Sequence, residues 1–563
     1  MVRKSITWIL IVLLIVIGAF SGCSKEKQIP KTNESTKDDE QGVEDLETSS
    51  DKLKLPIVEP QGSVSLTIAC ADNWYSPKSY ASGLPVYQEI EDRTGVKIIW
   101  EVSPQDQYTT VMQTRVAAVD LPDIFHLTQD ALKMGEQGLI IPLNELINKY
   151  APDIKKLFYI SKIVKNGITS PDGNIYYLPQ IGEGVLDSEF DMEKGAVDGP
   201  VGQVNNWVPA IRKDWLEKLG LQIPVTIDDW FSVLKSFKEN DPNENGKDDE
   251  LPIAATWPGT HWCFSSAYGL TMGSLNGDWF LGNDGKVKYS WVQPQLKDYI
   301  IFLNKLYKNE LIDPEFPSAT YDTTLPKTQR NLIGAVFTDW VSNYPSFNNA
   351  LKSGGVEDAN FIPVLPPVLN QGDEPIVYKR YPVLGGAGIG VNCKNSEVAI
   401  KWLDYHFAHP EGIRFQMYGT EEKTYVMKEG KPVFTDFVLN NPDGFGPFEA
   451  IRSIGGWGQL PYIQTKQAYL DLYAQLPDVI KFSNDSWKYQ KDSFPVLQRT
   501  TEEINELSGL YTEINTYRDE TLVKMILGTI SVDEFDTYLS KMMSIGVDRI
   551  TQIVQQQYDR TIK

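Results

Sequence analysis

Cysteine is scarce in this chain: four in 563 residues, at positions 23, 70, 263 and 393, with no CxxC pair. That excludes a zinc ribbon and a readable disulfide framework, and reads Cys70, Cys263 and Cys393 as buried free thiols. Positive charge is also short. The 53 basic and 75 acidic side chains leave a net charge of −22, so the chain lacks the basic face that neutralises phosphates, and nucleic acid is not expected as a partner. No HExxH, GxSxG or GxxxxGK[ST] occurs. HFAH (His406 to His409) sits on a helical stretch without the glutamate of a zincin helix. GGAGIG (Gly385 to Gly390) misses the dinucleotide spacing because Val391 takes the last position. Apart from one N-terminal segment, long apolar runs are missing too.

That segment is ITWILIVLLIVIGAF (Ile6 to Phe20), preceded by Arg3 and Lys4 and followed by Ser21, Gly22 and Cys23. It is short for a membrane span. Small residues before a cysteine resemble a bacterial lipobox, with Phe20 in place of the usual leucine. Residues 1–22 are therefore expected to be a lipoprotein signal peptide, and Cys23 the acylated (palmitate-bearing) N-terminus. Residues 23–61, rich in Lys, Glu, Asp, Ser and Thr, are expected to be a disordered tether. These features point to the outer face of the cell membrane.

At 563 residues the rest exceeds what one core usually supports. SVSLTIACA (63–71), VKIIWEVS (96–103) and LPDIFHL (121–127) read as strands. Helical patterns separate them, one with Val86 and Ile90 on a face and Gly95 at its end. Strand–helix–strand repetition predicts βαβ units and a largely parallel sheet. The pattern restarts after Asn205, with Thr226 and Ser396 as expected N-caps and strands at 332–340 and 381–391. Residues 501–560 read as helices punctuated by Gly528 and Gly546.

Five stretches, in order from about 121 to 560, carry a family resemblance. They are LPDIFHL, IIPLNELINKYAPDIKKL, RKDWLEKLGLQIPVTIDDWFSVLKSFKENDPNENGKDDELPI, YGTEEKTYVMKEGKPV and ISVDEFDTYLSKMMSIGVDRITQIVQQQYDR. Together they resemble the extracellular solute-binding lipoproteins of bacterial ABC importers, family 1, in the long subgroup of oligosaccharide and alginate import. The resemblance implies a two-lobed, periplasmic-binding-protein-like (type II) α/β fold with hinge crossings and a ligand cleft. It also implies an oligosaccharide ligand, ABC permease subunits as partners and a monomer that is not an enzyme. The first lobe is expected at 62–205 plus about 385–445. The second is expected at 206–384 plus about 446–563, with the C-terminal helices. Where this chain has GTEEKTY (Gly419 to Tyr425), the family reads GTEGVHY, so a ligand role of that loop does not carry over.

NDPNENGKDDELP (240–252) alternates Asp241, Asn243 and Asn245, turns at Gly246, and continues to the Lys247 carbonyl, Asp249 and Glu250. These are hard oxygen ligands in number enough for calcium without a glutamate at position 12, which is Pro252. A solvated Asn-Gly turn has the same composition. The resemblance favours a structural calcium, since alginate-binding members use this variant loop.

Sugar sites pair aromatic platforms with hydrogen-bonding side chains in a cleft. The candidates follow strands or sit in loops: Trp74, Tyr75, Trp257, His261, Trp262, Trp279, Asp339, Trp340 and Trp457. Trp402 reads as core. An anionic sugar would call on Arg212, Lys213 or Arg452. Two other readings fit the same sequence. A lipid-anchored glycosidase or lyase needs only a pair of carboxylates, and a sensor lipoprotein could use the same fold.

Overall fold

The computed structural model describes residues 52–72, 78–128, 130–182, 186, 208–256, 259–272, 277–337, 344–378, 383–473 and 476–562. Cys23 and the rest of the N-terminal 51 residues lie outside them. The body begins before the expected tether ends. Ile57 N–H donates to the Thr94 carbonyl at 2.7 Å, and Leu53, Ile57 and Val58 pack on the core. The apolar side chains of Leu53 to Val58 supply the burial that the charged residues before them cannot.

β1 (Ser65–Ala71), β2 (Lys97–Ser103), β3 (Ile124–His126) and β4 (Leu178–Ile181) belong to a six-stranded sheet. β1 runs parallel to both β2 and β3. The helix Pro85–Thr94 joins β1 to β2, starting on a proline whose missing N–H costs nothing at the first turn. It stops at Gly95, where φ is 72°. A Cβ there would stand 2.4 Å from the Val58 carbonyl oxygen, so the left-handed cap and the close approach both require glycine.

β5 (Pro209–Arg212), β6 (Leu251–Ala255), β9 (Ile333–Phe337) and β10 (Phe361–Pro363) form a four-stranded sheet ordered β10-β5-β9-β6, while β7 (Trp279–Leu281) and β8 (Val287–Tyr289) make a separate hairpin. The period-2 alternation of strands divides this sheet's faces between two cores. Ala210, Ala254, Val336 and Phe361 join the core of the first sheet. Ile211, Ile253, Ala335 and Phe337 join a second core with the C-terminal helices. Above that face lies the helix Ile227–Glu239, burying Trp230, Val233, Leu234 and Phe237 at helical spacing. Thr226 caps it as expected: its hydroxyl accepts from Asp229 N–H at 3.1 Å, and Asp229 accepts from Thr226 N–H at 2.9 Å.

The chain then returns. β11 (Val377–Tyr378) leads to β12 (Val383–Ile389), which inserts antiparallel between β3 and β4. The first sheet is therefore mixed rather than largely parallel, because this returning strand has no crossover helix to set it parallel. The cap of the helix Ser396–Phe407 comes one residue earlier than expected: Asn395, not Ser396, is the N-cap, without a side-chain capping bond. Trp402 is core, as expected. The hairpin β13 (Tyr425–Lys428) and β14 (Lys431–Phe434) follows. β15 (Tyr462–Ile463) then pairs parallel to β4 at the edge of the first sheet, beyond the expected return at 445. Sequence pattern cannot show a two-residue strand.

β16 (Gln490–Lys491) pairs with β11. The chain thus passes between the two sheets after β4, before β12 and after β15, and the last two crossings are tied side by side by β11 and β16. These are two α/β lobes joined by hinge crossings. Three helices close the chain, Thr501–Ile526, Phe535–Ile545 and Val547–Thr561, with Gly528 and Gly546 at the breaks as expected. Among the described residues no helix is long and apolar enough to cross a membrane.

Candidate functional site

The hairpin β7–β8 places two indoles. Trp279 opens β7 and stands opposite Tyr289, and Trp291 follows β8 in a short turn. The C-terminal helices hold both. Tyr538 donates its hydroxyl to the Trp291 carbonyl at 2.9 Å, and Trp279 Nε1 donates to the Tyr511 hydroxyl at 3.2 Å. Trp262 packs edge-on to Trp291, ring centres 4.9 Å apart. Together with Phe494 these rings line a cavity of about 680 Å³ between the hairpin, the helix Thr501–Ile526 and the segment 494–499. That volume suits a drug-sized ligand such as a short oligosaccharide.

Polar groups are placed among the rings. Arg518 lies over the face of Trp291, 4.2 Å from its centre. Its Nε donates to Asp519 at 2.7 Å, and its Nη1 stands 3.7 Å from Asp278. Asp278 also accepts from Trp291 Nε1. Burial opposes the Arg518 charge, but Asp519, Tyr289 and Asp278 outweigh it and hold its pKa above the ordinary range. Burial pushes the Tyr511 phenol up to about 12, so it stays a neutral donor and acceptor. Val496, Leu497 and Arg499 also line a second cavity, of about 360 Å³, against first-lobe residues including Asp130, Tyr177 and Gly386. Arg499 Nη2 donates to Asp130 at 2.8 Å. Asp130 in turn caps the helix Ala131–Glu136. The two cavities meet at 496–499 and run from one lobe to the other, which is the cleft.

The expected residues divide three ways. His261, Trp262 and Trp279 come together on the larger cavity. His261 is 4% exposed, and burial pushes its imidazole down to about 3, so it is neutral at ordinary pH. Among the described residues neither ring nitrogen has a hydrogen-bond partner. A buried imidazole left in that state on a cavity wall is suited to a ligand hydroxyl. Trp457 does not reach either cavity. It is 2% exposed, its Nε1 donates to the Met417 carbonyl at 3.0 Å, and its ring meets the edge of Phe448. The glycines around it bring the loop against Tyr80 and Tyr87 and turn the indole inward. Trp74, Tyr75, Trp257, Asp339 and Trp340 lie outside the described residues.

None of the cations considered for an anionic sugar lines the cleft. Arg212 is buried, clamped by both oxygens of Asp214 at 2.8 and 2.6 Å. Arg452 lies over Phe448. The residues missed by pattern are Asp278, Trp291, Phe494, Arg499, Tyr511, Arg518 and Asp519. Trp291 follows a strand, as did the aromatics singled out, and carried that signal. Arg518 looks like the solvated face of a helix, and only packing shows otherwise, while Asp519 stays exposed beside it.

The acidic loop is preorganised. Asp241 accepts from the backbone N–H groups of Asn245 and Gly246 at 3.1 and 3.0 Å, and Asn243 Oδ1 accepts from Asn245 N–H at 3.0 Å. Asn245 bridges to Lys247 N–H and Asp249, and Gly246 has a φ of 71°. Glu250 lies beneath the loop, 2% exposed. Neither of its carboxylate oxygens bonds another residue, nor does the Asn243 amide nitrogen. Burial, then the charges of Asp241 and Asp249, push the Glu250 carboxyl up. A buried carboxylate without a protein partner fits a bound cation. Among the described residues no three His, Cys, Asp or Glu side chains form a metal cluster by themselves, so the asparagine oxygens and the Lys247 carbonyl would complete the set.

Four similarities match this geometry. The family described as bacterial extracellular solute-binding protein matches residues 79–410. The fructooligosaccharide ABC transporter substrate-binding protein FusA of Streptococcus pneumoniae is 27% identical over 526 residues, covering 89% of this chain and 91% of that protein. The crystal structure of alginate-binding protein AlgQ2 without calcium ion superposes with a TM-score of 0.73 at 26% identity, covering 90% of this chain and 99% of that one. An EF-hand mutant of S. pneumoniae FusA in complex with fructo-nystose superposes with a TM-score of 0.69 at 24% identity, covering 88% and 99%.

Proposed function

The chain belongs to the bacterial extracellular solute-binding proteins, and from that premise we propose that it captures an oligosaccharide outside the cell and delivers it to an ABC permease. The observation that supports this most is the cleft: the indoles of Trp279 and Trp291 line it beside Tyr511, with hydrogen-bonding groups between them and an unsatisfied His261. Aromatic faces cover the C–H sides of a sugar, and fixed polar groups meet its hydroxyls. The similar proteins are binding proteins by description, and this chain is read as one rather than as an enzyme. Trp74, Tyr75, Trp257, Trp262, Asp339 and Trp340 remain proposed contacts from sequence.

The lobes would each centre on one sheet, the first keeping β15 and the second the C-terminal helices. Cys23 would carry the lipid that holds the monomer at the outer face of the membrane. Calcium would be held by Asp241, Asn243, Asn245, the Lys247 carbonyl, Asp249 and Glu250, and would pin the junction between the helix Ile227–Glu239 and β6. Its chemistry there is structural, neutralising the buried Glu250.

The test is calorimetry with tryptophan fluorescence against a panel of oligosaccharides. Binding without turnover is expected. Product accumulating from any member of the panel would replace this reading with the enzymatic one.

A further inference from the structure

We propose that the cleft selects uncharged oligosaccharides and rejects those built of uronic acids, an inference that rests on the sugar-binding function above. Among the described residues, the charged side chains lining the two cavities are Asp130, Asp278, Asp519, Arg499 and Arg518. Both guanidiniums already face carboxylates. Arg518 donates to Asp519 at 2.7 Å, stands 3.7 Å from Asp278, and lays its face on Trp291. Arg499 donates to Asp130 at 2.8 Å. Three carboxylates against two guanidiniums leave the described lining net negative, and neutral His261 adds no positive charge.

A uronate brings one more carboxylate per unit. To pair with Arg518 it must compete with Asp519 and Asp278, which already offset that charge. Repulsion from the remaining acids adds to this. A neutral sugar meets no such conflict. Its hydroxyls donate to free lone pairs of Asp278 and Asp519 and reach His261, while a C–H face covers Trp279. The paired carboxylates therefore act twice: they accept hydroxyls, and they deny the arginines to an anionic ligand.

Calorimetry with length-matched series decides it: neutral fructo- and xylo-oligosaccharides against oligogalacturonates and oligoalginates, on the purified full chain at about 0.15 M salt. A neutral series is expected to bind at least a hundred-fold more tightly than either uronate series. Asp519→Asn and, separately, Asp278→Asn each free Arg518, and uronate affinity is expected to rise at least ten-fold relative to the neutral series. Using the two variants separately guards against one that folds poorly. A uronate series binding as tightly as the neutral ones overturns the inference and leaves the binding function standing. A ratio unmoved in both variants also overturns it. No binding in any series overturns both readings.

Discussion

Trp279 owes its place to a hairpin too short to be stable alone. Its indole is held by the Tyr511 hydroxyl and backed by Tyr289, so the face it turns to the cavity is fixed before a ligand arrives. Trp279→Ala is expected to weaken sugar binding at least ten-fold, about 1.4 kcal/mol, measured by titration well below the variant's melting temperature. Unchanged affinity would remove it from the site. His406 shows what burial does away from the site. Its ring stacks on Trp402 at 4.8 Å and faces Tyr87 at 5.9 Å, and burial pushes it from near 6.5 down to about 3. The unfolded imidazole takes up a proton below pH 6.5 while the native one does not. The native state therefore loses stability as pH falls from 6.5 toward 3, by roughly 1.4 kcal/mol per pH unit. In His406→Phe the pH dependence of the urea midpoint between pH 6 and 4 should be flatter by that slope. Equal slopes would show that His406 does not carry the effect.

At the scale of elements, the helix Ile227–Glu239 and the loop after it form one unit. The helix is capped by Thr226 and Asp229 at its start, and Asn240 is its C-cap, directly before the Asp241 loop. Lys218 donates to the Pro242 carbonyl at 2.7 Å and Lys238 pairs with Asp248 at 2.6 Å, fastening the loop to its own helix and to a neighbouring one. Thr226→Ala removes the cap and is expected to cost about 1 kcal/mol, read as a shift of the urea midpoint without a change in its slope. At the other end, calcium at a hundred times its dissociation constant would add about 2.7 kcal/mol by binding only the native loop. The melting temperature of chelator-treated protein should rise with calcium. Asp241→Ala combined with Asp249→Ala should erase that rise while sugar affinity stays. No rise in the unsubstituted protein would remove calcium from this loop.

For the whole molecule, the cleft and the crossings make a coupled system. The ion pair Arg499–Asp130 links the segment ahead of the C-terminal helices to a helix cap in the first lobe, and β11–β16 ties two crossings together. Lobes joined by such narrow ribbons move as bodies about them. Saturating ligand is therefore expected to shrink the radius of gyration in small-angle scattering, and a curve that does not move would count against hinge closure. Arg499→Ala should weaken ligand affinity only a few-fold, because a half-exposed pair contributes roughly 0–1 kcal/mol. A loss as large as that of Trp279→Ala would mean that Arg499 touches the ligand itself.

The sequence by itself determined the alternating βαβ start, the capped helix at Thr226, the glycine breaks of the C-terminal helices and the oxygen-rich loop. Each of these is written in neighbours a few positions apart, where periodicity, capping and turn chemistry act. It also marked Trp262 and Trp279, because indoles beside strands are visible in one dimension. Tertiary structure decided the rest. β12 enters the first sheet antiparallel and β15 extends its edge, pairings that span hundreds of residues and leave no local trace. Trp457 shares its aromatic signal with Trp279, yet its loop folds the indole into the core. Arg518 reads as solvated helix until the hairpin carrying Trp291 closes over it. Local order follows from local sequence. Which side chains face a common cleft depends on the balance of burial among elements far apart in the chain, and only the packed molecule sets that balance.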